Sequence, residues 1–265
     1  MEYLLLIGGL ITLIISGDAL VRGAAGIAVK FNIPSIVIGM TIVSFGTSAP
    51  ELLVSLKAAI EGHAEIAIGN VIGSNVANLA LVLGLTTIML PIIVKRSTAR
   101  LDWPIMMFAT VLFYLFSLNL KIEWYEGLLF VLGLIGFNIY MFRSARKGDE
   151  EEEIDLDIEK AKNSKNWINV LLIVVGSVGL AFGANWLLEG AVTIAGNFGV
   201  SEHIIGVTIV AFGTSVPELI TSMVAAFKKH SDISVGNLIG SNIFNILGVV
   251  GITSVSYTHL TLPTT

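Results

Sequence analysis

The sequence predicts an all-α, polytopic transmembrane protein built from two inverted-topology repeats, with eight of the ten helices that two full copies would supply. Three observations predict this fold. Hydrophobic residues make up 54% of the 265-residue chain and charged residues only 13%, with a mean hydropathy of +0.85, a balance typical of membrane proteins. The apolar runs are long enough to cross a bilayer. A long segment of the first half also recurs in the second half.

Eight apolar runs have about the 20 residues needed to cross a hydrocarbon core of roughly 30 Å. They cover residues 3–28, 34–59, 66–92, 103–119, 124–142, 168–196, 204–227 and 233–253. The first run is longer than the apolar core of a signal peptide, about 7–15 residues, and no A-x-A-like cleavage site follows it, so we expect it to be retained. The absence of cysteine excludes disulfides and thiolate metal sites.

The repeat is visible in two motifs. Residues 39–51 read GMTIVSFGTSAPE and residues 206–218 read GVTIVAFGTSVPE, while residues 69–78 read GNVIGSNVAN and residues 236–245 read GNLIGSNIFN. Both pairs are offset by 167 residues, so the repeated segment runs over 39–84 and 206–251 without a gap. Matching spans lie five crossings apart. Because five is odd, the two copies must cross the membrane in opposite directions, as in the inverted repeats of many transporters.

Loop charges predict the orientation. The loop at 61–65 reads EGHAE, whereas its counterpart at 228–232 reads KKHSD. By the positive-inside rule the second loop is cytoplasmic and the first is outside. We therefore expect a multi-pass protein of the inner (cytoplasmic) membrane with its N-terminus outside. The net charge of −5 lies mostly in one loop, and we expect no nucleic-acid partner.

The repeat also predicts the domain organisation. Residues 1–142 form the first repeat with five spans, 143–166 a charged cytoplasmic linker, 167–253 an incomplete second repeat with three spans, and 254–265 a truncated or non-native tail. Copies of the fourth and fifth spans would fall near residues 270–309. The acidic run in the linker lacks the alternating ligands and turn glycine of an EF-hand loop, so we interpret it as a solvated connector.

Glu51 and Glu218 are the strongest functional candidates, because an ionised carboxylate in mid-membrane costs several kcal/mol unless it is compensated. Hydroxyl residues share a helix face with each glutamate. They are Ser44, Thr47, Ser48 and Ser55 in the first copy and Thr214, Ser215 and Ser222 in the second. Pro50 and Pro217 cannot donate to the carbonyls four residues earlier, so we expect both helices to open locally.

Two polar stripes follow on the next span of each repeat. They are Asn70, Ser74 and Asn78 in the first copy and Asn237, Ser241 and Asn245 in the second, each spaced at four residues. Amide and small residues also join membrane helices. Both roles stay open for Asn70, Asn75, Asn237 and Asn242, while ion binding is favoured for Ser74, Asn78, Ser241 and Asn245, which lie deeper in their spans.

The candidate ligands are all oxygen atoms, which suits hard cations such as Ca²⁺ or Na⁺ and disfavours copper or zinc. Two carboxylates neutralise one Ca²⁺ or two Na⁺, so the two ions would compete for one site. Mutually exclusive occupancy is the physical basis of exchange.

On these motifs the chain resembles the cation/calcium exchanger superfamily, specifically prokaryotic sodium/calcium exchangers. Gly-Thr-Ser-x-Pro-Glu stands at 46–51 and 213–218, and Gly-Ser-Asn-x-x-Asn at 73–78 and 240–245. The resemblance implies a ten-helix fold whose first and sixth helices slide across the others. The ion ligands that it implies are Thr47, Ser48, Glu51, Ser74, Asn78, Thr214, Ser215, Glu218, Ser241 and Asn245, with the backbone at Ser44 and its counterpart Ala211. Position 245 is Asn where some relatives have Asp, so a third carboxylate is absent.

We therefore expect a secondary antiporter that exchanges Na⁺ for Ca²⁺ by alternating access, with the ions as cargo, no cofactor, and the lipid bilayer as its surroundings. A monomer is expected. A proton/calcium or other cation exchanger is the alternative, and a cation channel is less favoured because inverted halves with broken helices suit alternating access. An enzyme is not expected, since no nucleophile and base pair recurs in the stripes. Asp18 and Arg22, four residues apart on the first span, are expected to pair with each other or to snorkel.

Overall fold

A computed structural model describes residues 1–92, 94–145, 165–201, 211–256 and 259–261, with only the backbone at 145, 211 and 259–261. These ranges form helices and one short strand pair. The helices are α1 (Glu2–Phe31), α2 (Ser35–Ile60), α3 (Ala64–Met89), α4 (Thr98–Ser117), α5 (Trp124–Ala145), α6 (Asn166–Asn197), α7 (Ala211–Thr214), α8 (Val216–Phe227) and α9 (Ser231–Ser256). The strands are β1 (Lys121–Glu123) and β2 (His259–Thr261).

The predicted all-α transmembrane class is confirmed. Among the described residues, seven helices are long and apolar enough to span a membrane, namely α1 to α6 and α9. Their ends lie within a few residues of the predicted runs, because charged or polar residues interrupt the apolar pattern at each end. The predicted run 204–227 corresponds to α7 and α8, and residues 204–210 of it lie outside the described ranges, as does most of the predicted linker.

Helices α1 and α6 pack closely and antiparallel. A Cβ atom at Gly9 would lie 2.5 Å from the backbone nitrogen of Leu187, and one at Gly23 would lie 2.7 Å from the carbonyl oxygen of Asn169. Positions that advance along α1 therefore meet positions that retreat along α6. These helices are equivalent in the two repeats, so their antiparallel packing is the arrangement that inverted halves require.

Helix α9 lies at the centre of the bundle against α2 and α5. A Cβ atom at Gly240 would lie 2.5 Å from the Cα atom of Met40 in α2, and one at Gly127 in α5 would lie 2.6 Å from Cβ of Ser254. Glycine is therefore required at both contacts, since a side chain would separate the helices. Ile243 and Val249 of α9 are fully buried in the larger apolar cluster.

Four stretches of these helices have π-helical hydrogen bonding, and the sequence pattern did not predict them. They are Gly39–Val43, Asn78–Val82, Thr98–Asp102 and Phe244–Val250. A π turn holds an extra residue and widens the helix locally, and such turns are frequent at functional sites. Two of them begin at or beside the polar residues Asn78 and Asn245, so the widened turns lie next to the polar stripes.

The two proline motifs differ in structure although their sequences match. Helix α2 runs through Pro50 without a break, so the predicted opening of the first copy is not visible as an interruption. In the second copy the chain leaves helical geometry at Ser215, with φ −94° and ψ 3°, between α7 and α8. Proline removes one backbone donor in both copies, so the proline alone does not account for the break at Ser215.

Two contacts join connections that the predicted alternation puts on the same membrane side. Lys95 after α3 pairs with Asp232 at the start of α9 at 2.8 Å. Strand β1, between α4 and α5, pairs antiparallel with β2, which follows α9, with Ile122 opposite Leu260. The composition of the tail did not predict this strand pair.

Candidate cation site

Glu51 and Glu218 meet inside the bundle. Glu51 is 2% exposed and Glu218 is fully buried. The hydroxyl of Ser48, in the first repeat, donates to Oε1 of Glu218 at 2.9 Å, and the two carboxylates are close enough to interact with each other. The structure therefore brings together two residues that are 167 positions apart, as the repeat predicted.

Hydroxyls from both repeats surround Glu218. Thr47 Oγ1 lies 3.1 Å from Oδ1 of Asn237 and 3.3 Å from the hydroxyl of Ser241. Thr47 and Ser241 both interact with the Glu218 carboxylate. Helix α2 of the first repeat and α9 of the second thus contribute to one polar cluster.

Two asparagines form hydrogen bonds to the helices that carry Glu51 and Glu218. Asn70 Nδ2 donates to the hydroxyl of Ser55 at 2.9 Å and to the carbonyl of Glu51 at 3.3 Å. Asn237 Nδ2 makes the equivalent bonds, to Ser222 at 3.0 Å and to the carbonyl of its own glutamate at 3.5 Å. The sequence left two roles open for these asparagines, and the described bonds support helix joining.

The asparagine cluster of Asn75, Asn78, Asn242 and Asn245 connects α3 with α9. Asn75 Nδ2 donates to the backbone carbonyl of Asn242 at 3.3 Å, Asn78 Nδ2 to Oδ1 of Asn242 at 3.1 Å, and Asn245 Nδ2 to Oδ1 of Asn75 at 3.1 Å. The last two bonds are related by the repeat, because each joins the second asparagine of one motif to the first asparagine of the other.

Seven buried oxygen atoms of these residues have no hydrogen-bond partner within the described ranges. They are Oε1 and Oε2 of Glu51, Oε2 of Glu218, the hydroxyls of Ser74 and Ser215, and Oδ1 of Asn78 and of Asn245. Buried polar atoms are normally paired, and leaving a carboxylate unpaired is costly. A group of unpaired oxygens with two carboxylates is the donor set that a hard cation requires.

Three other predicted ligands are not among these seven unpaired oxygen atoms, namely Ser44, Thr214 and Ala211. The hydroxyl of Ser44 donates to the carbonyl of Met40 at 2.7 Å, so it turns back along its own helix, while the carbonyl of Ser44 accepts from Thr47 at 3.2 Å. Thr214 is half-buried at the end of α7. Ala211 is described only by its backbone, at the start of α7.

A small cavity of about 40 Å³ reaches Glu51 from the side of α6. Its lining includes Asn185, a residue that the sequence motifs did not single out. A signal was present, because Asn185 stands 167 positions after Asp18, so both repeats carry a polar residue there. On the other repeat, Asp18 pairs with Arg22 at 2.7 Å, as predicted, and also with Lys228.

The fold and this cluster define a polytopic helical membrane protein with unpaired buried oxygen atoms contributed by two inverted halves, the arrangement of secondary transporters. The sequence profile of the family described as "Sodium/calcium exchanger protein" matches residues 1–143 and 168–264. The chain belongs to this family, which consists of transporters rather than enzymes.

Individual relatives agree with this assignment. The chain is 31% identical to the sodium/calcium exchanger MaX1 of Methanosarcina acetivorans, over 97% of this chain and 83% of the relative. It is 32% identical to the inner membrane protein YrbG of Escherichia coli, over 94% and 78%. A solved structure of the sodium-calcium exchanger NCX_Mj, soaked with Na⁺ and Sr²⁺, superposes with a TM-score of 0.83 at 32% identity, covering 99% of this chain and 84% of that one.

Proposed function

We propose that the chain is a secondary antiporter that exchanges Na⁺ for Ca²⁺ across the cytoplasmic membrane by alternating access, with the ions held between Glu51 and Glu218. The observation that carries the proposal is the group of unpaired buried oxygens around the two carboxylates. Family membership and the likeness to exchangers of known structure support it.

The charges of the cluster decide which ions it can hold. Among the described residues, neither glutamate forms an ion pair with a basic side chain, so the compensating charge must come from the cargo. One Ca²⁺ or two Na⁺ would neutralise two carboxylates. Because both loads use the same oxygens, one must leave before the other enters, which couples their movements.

The proposed ligands are the carboxylates of Glu51 and Glu218 with the nearby hydroxyl and amide oxygens. These additional residues are Thr47, Ser48, Ser74, Asn78, Thr214, Ser215, Ser241 and Asn245, with the backbone at Ser44 and Ala211. Ca²⁺ takes about six to eight oxygen ligands in flexible geometry, so the set is large enough for it. An unloaded carrier would bury two uncompensated carboxylates, which discourages reorientation without cargo and keeps exchange coupled.

The orientation that we propose puts the N-terminus outside and the loop at 228–232 in the cytoplasm. The Lys95–Asp232 pair and the β1–β2 pair support this alternation, because each joins two connections on one side. The basic residues Lys95, Lys228 and Lys229 then lie on the cytoplasmic side, in agreement with the positive-inside rule.

Calcium flux into proteoliposomes tests the proposal. Vesicles that hold the purified chain are loaded with Na⁺ and diluted into Na⁺-free buffer containing ⁴⁵Ca²⁺, at equal pH on both sides. We expect uptake that collapses when Na⁺ is equal on both sides. Uptake that follows a pH step and ignores Na⁺ would instead establish proton/calcium exchange, and the absence of gradient-driven uptake would contradict the antiporter proposal.

A further inference from the structure

The side-chain amides of Asn78 and Asn245 each have an oxygen on one side and an NH₂ group on the other. Rotating such an amide by half a turn exchanges an acceptor for a donor. A cation is bound by the oxygen and repelled by the NH₂ group. The orientation of these two amides therefore decides whether they assist or oppose a cation in the cluster.

A chain of hydrogen bonds fixes the amide of Asn245. It begins at the backbone carbonyl of Asn242, which can only accept. Asn75 Nδ2 donates to this carbonyl at 3.3 Å, so Oδ1 of Asn75 is the atom left to accept from Asn245 Nδ2, at 3.1 Å. The NH₂ group of Asn245 is thereby occupied, and its Oδ1 is buried without a donor among the described residues.

The other repeat fixes Asn78 by the same logic. Asn242 Nδ2 donates to the sulfur of Met106 at 3.6 Å, and a thioether sulfur can accept but not donate. Oδ1 of Asn242 is then free to accept from Asn78 Nδ2 at 3.1 Å. Again the NH₂ group is occupied, and Oδ1 of Asn78 is buried without a donor in the described ranges.

We propose that Asn75 and Asn242 are positioning residues that present the amide oxygens of Asn245 and Asn78 to the transported cation. The inference rests on the proposed function, and it assigns no direct ion contact to either residue. Each chain of hydrogen bonds starts at an atom that can only accept. These two atoms therefore determine which way every side-chain amide of the asparagine cluster is oriented.

The positioning matters because Glu51 has no described donor. An amide that is free to rotate can present its NH₂ group to the unpaired oxygens of the site, and hydrogen bonds to charged acceptors are about twice as strong as those between neutral groups. That bond would occupy an oxygen needed by the cation. Asn75 and Asn242 hold the NH₂ groups elsewhere and so remove this internal competitor.

A double-mutant cycle tests the proposal. The Ca²⁺ dissociation constant is measured by equilibrium dialysis with ⁴⁵Ca²⁺ on the purified chain in Na⁺-free detergent buffer. Asn75→Leu removes the acceptor for Asn245, and we expect it to weaken Ca²⁺ binding by about tenfold, the effect of losing one neutral ligand. In an Asn245→Asp background the side chain has an oxygen on either side and needs no orientation, so the same Asn75→Leu change should alter affinity by less than about twofold.

A structural role alone would give the same loss in both backgrounds, and that result, or no loss in either, overturns the positioning role. The mirrored cycle of Asn242→Leu with Asn78→Asp provides the test if Asn75→Leu fails to fold. Asn138→Leu is the matched control, because the hydrogen bond of Asn138 within the described part of the chain is to its own helix, at the carbonyl of Leu134, 2.8 Å away. The Ca²⁺ affinity of this variant should equal that of the unmodified chain. If the unmodified chain and its Asn138→Leu variant bind no Ca²⁺, the proposed function fails together with the positioning role. If both bind Ca²⁺ but the cycle shows no difference between the two backgrounds, only the positioning role fails.

Discussion

At the scale of single residues, the two glutamates occupy equivalent sequence positions but different surroundings. Oε1 of Glu218 accepts from Ser48, whereas neither oxygen of Glu51 accepts from a described residue, and the hydroxyl of Ser215, the counterpart of Ser48, has no partner there either. The cavity lined by Asn185 reaches Glu51. The two carboxylates are therefore unequal in this structure, with Glu218 the more enclosed.

Glu51→Gln and Glu218→Gln should each abolish Ca²⁺ transport while the protein remains folded and inserted. Each change removes one of the two charges that would balance a divalent ion. Because a neutral amide is easier to bury than an unpaired carboxylate, the thermal midpoint in ion-free buffer should equal or exceed that of the unmodified chain. Flux and thermal unfolding in detergent measure the two effects.

Glu65→Gln is the matched control for these variants. Glu65 is exposed in the first turn of α3, beside His63, so the flux of the Glu65→Gln variant should remain at the level of the unmodified chain. Near-normal Ca²⁺ flux in Glu51→Gln or Glu218→Gln would refute the assignment of that glutamate to the site.

The sequence predicted the centre of this cluster and missed its periphery. The pairing of Glu51 with Glu218 followed from the repeat, because an inverted copy returns the same motif to the same depth. The bond chain through Asn75 and the lining position of Asn185 could not be predicted, since both depend on which helix faces which. The helix break at Ser215 could not be predicted from the motif either, because an almost identical motif stays helical at Pro50.

At the scale of elements, α1 and α6 form an unusually close pair. Gly9 and Gly23 of α1 and Gly176 and Gly190 of α6 lie against the backbone of the partner helix. Small residues at such an interface let two membrane helices approach closely. At each of these positions the glycine has no Cβ atom to hold the two backbones apart, so the first helices of the two repeats lie in close contact.

Gly9→Ala should disturb this pair, whereas Gly8→Ala should not. The added methyl group at Gly9 would lie 2.5 Å from the backbone of Leu187, and overpacking of this kind typically costs about 1–3 kcal/mol. At Gly8 nothing among the described residues lies within 4 Å. The thermal midpoint in detergent should fall for the first variant alone, and an equal fall in both would contradict the packing described for α1 and α6.

At the scale of the whole molecule, the two repeats are covered unequally. Helix α9 has 89% of its most apolar 18-residue window buried, whereas the equivalent helix α3 has 33%. Gly240 and Gly251 of α9 lie against α2 and α5, but nothing within the described part of the chain lies within 4 Å of a Cβ at their counterparts, Gly73 and Gly84. Two helices with matching sequences thus occupy different places in one fold, with α9 at the centre and α3 at the periphery.

Gly240→Ala and Gly73→Ala make this difference measurable. The two glycines are equivalent in the repeat, so they have the same helical context. A methyl group at Gly240 would lie 2.5 Å from the backbone of Met40, and we expect a loss of about 1–3 kcal/mol or more, since backbone cannot move aside easily. Gly73→Ala should be within about 0.5 kcal/mol of the unmodified chain. Similar losses in both variants would show that the halves are packed alike.

The bonds that cross between the repeats bear on how such a protein could arise. Ser48 donates a hydrogen bond to the glutamate of the opposite half. The amides of Asn78 and Asn245 each donate to an asparagine of the opposite half. One half alone therefore contains only some of the residues of the proposed cation site. An ancestor with a single half could complete the site only by associating with a second copy inserted upside down, and fusion of the two genes would then make permanent a partnership that began between separate molecules.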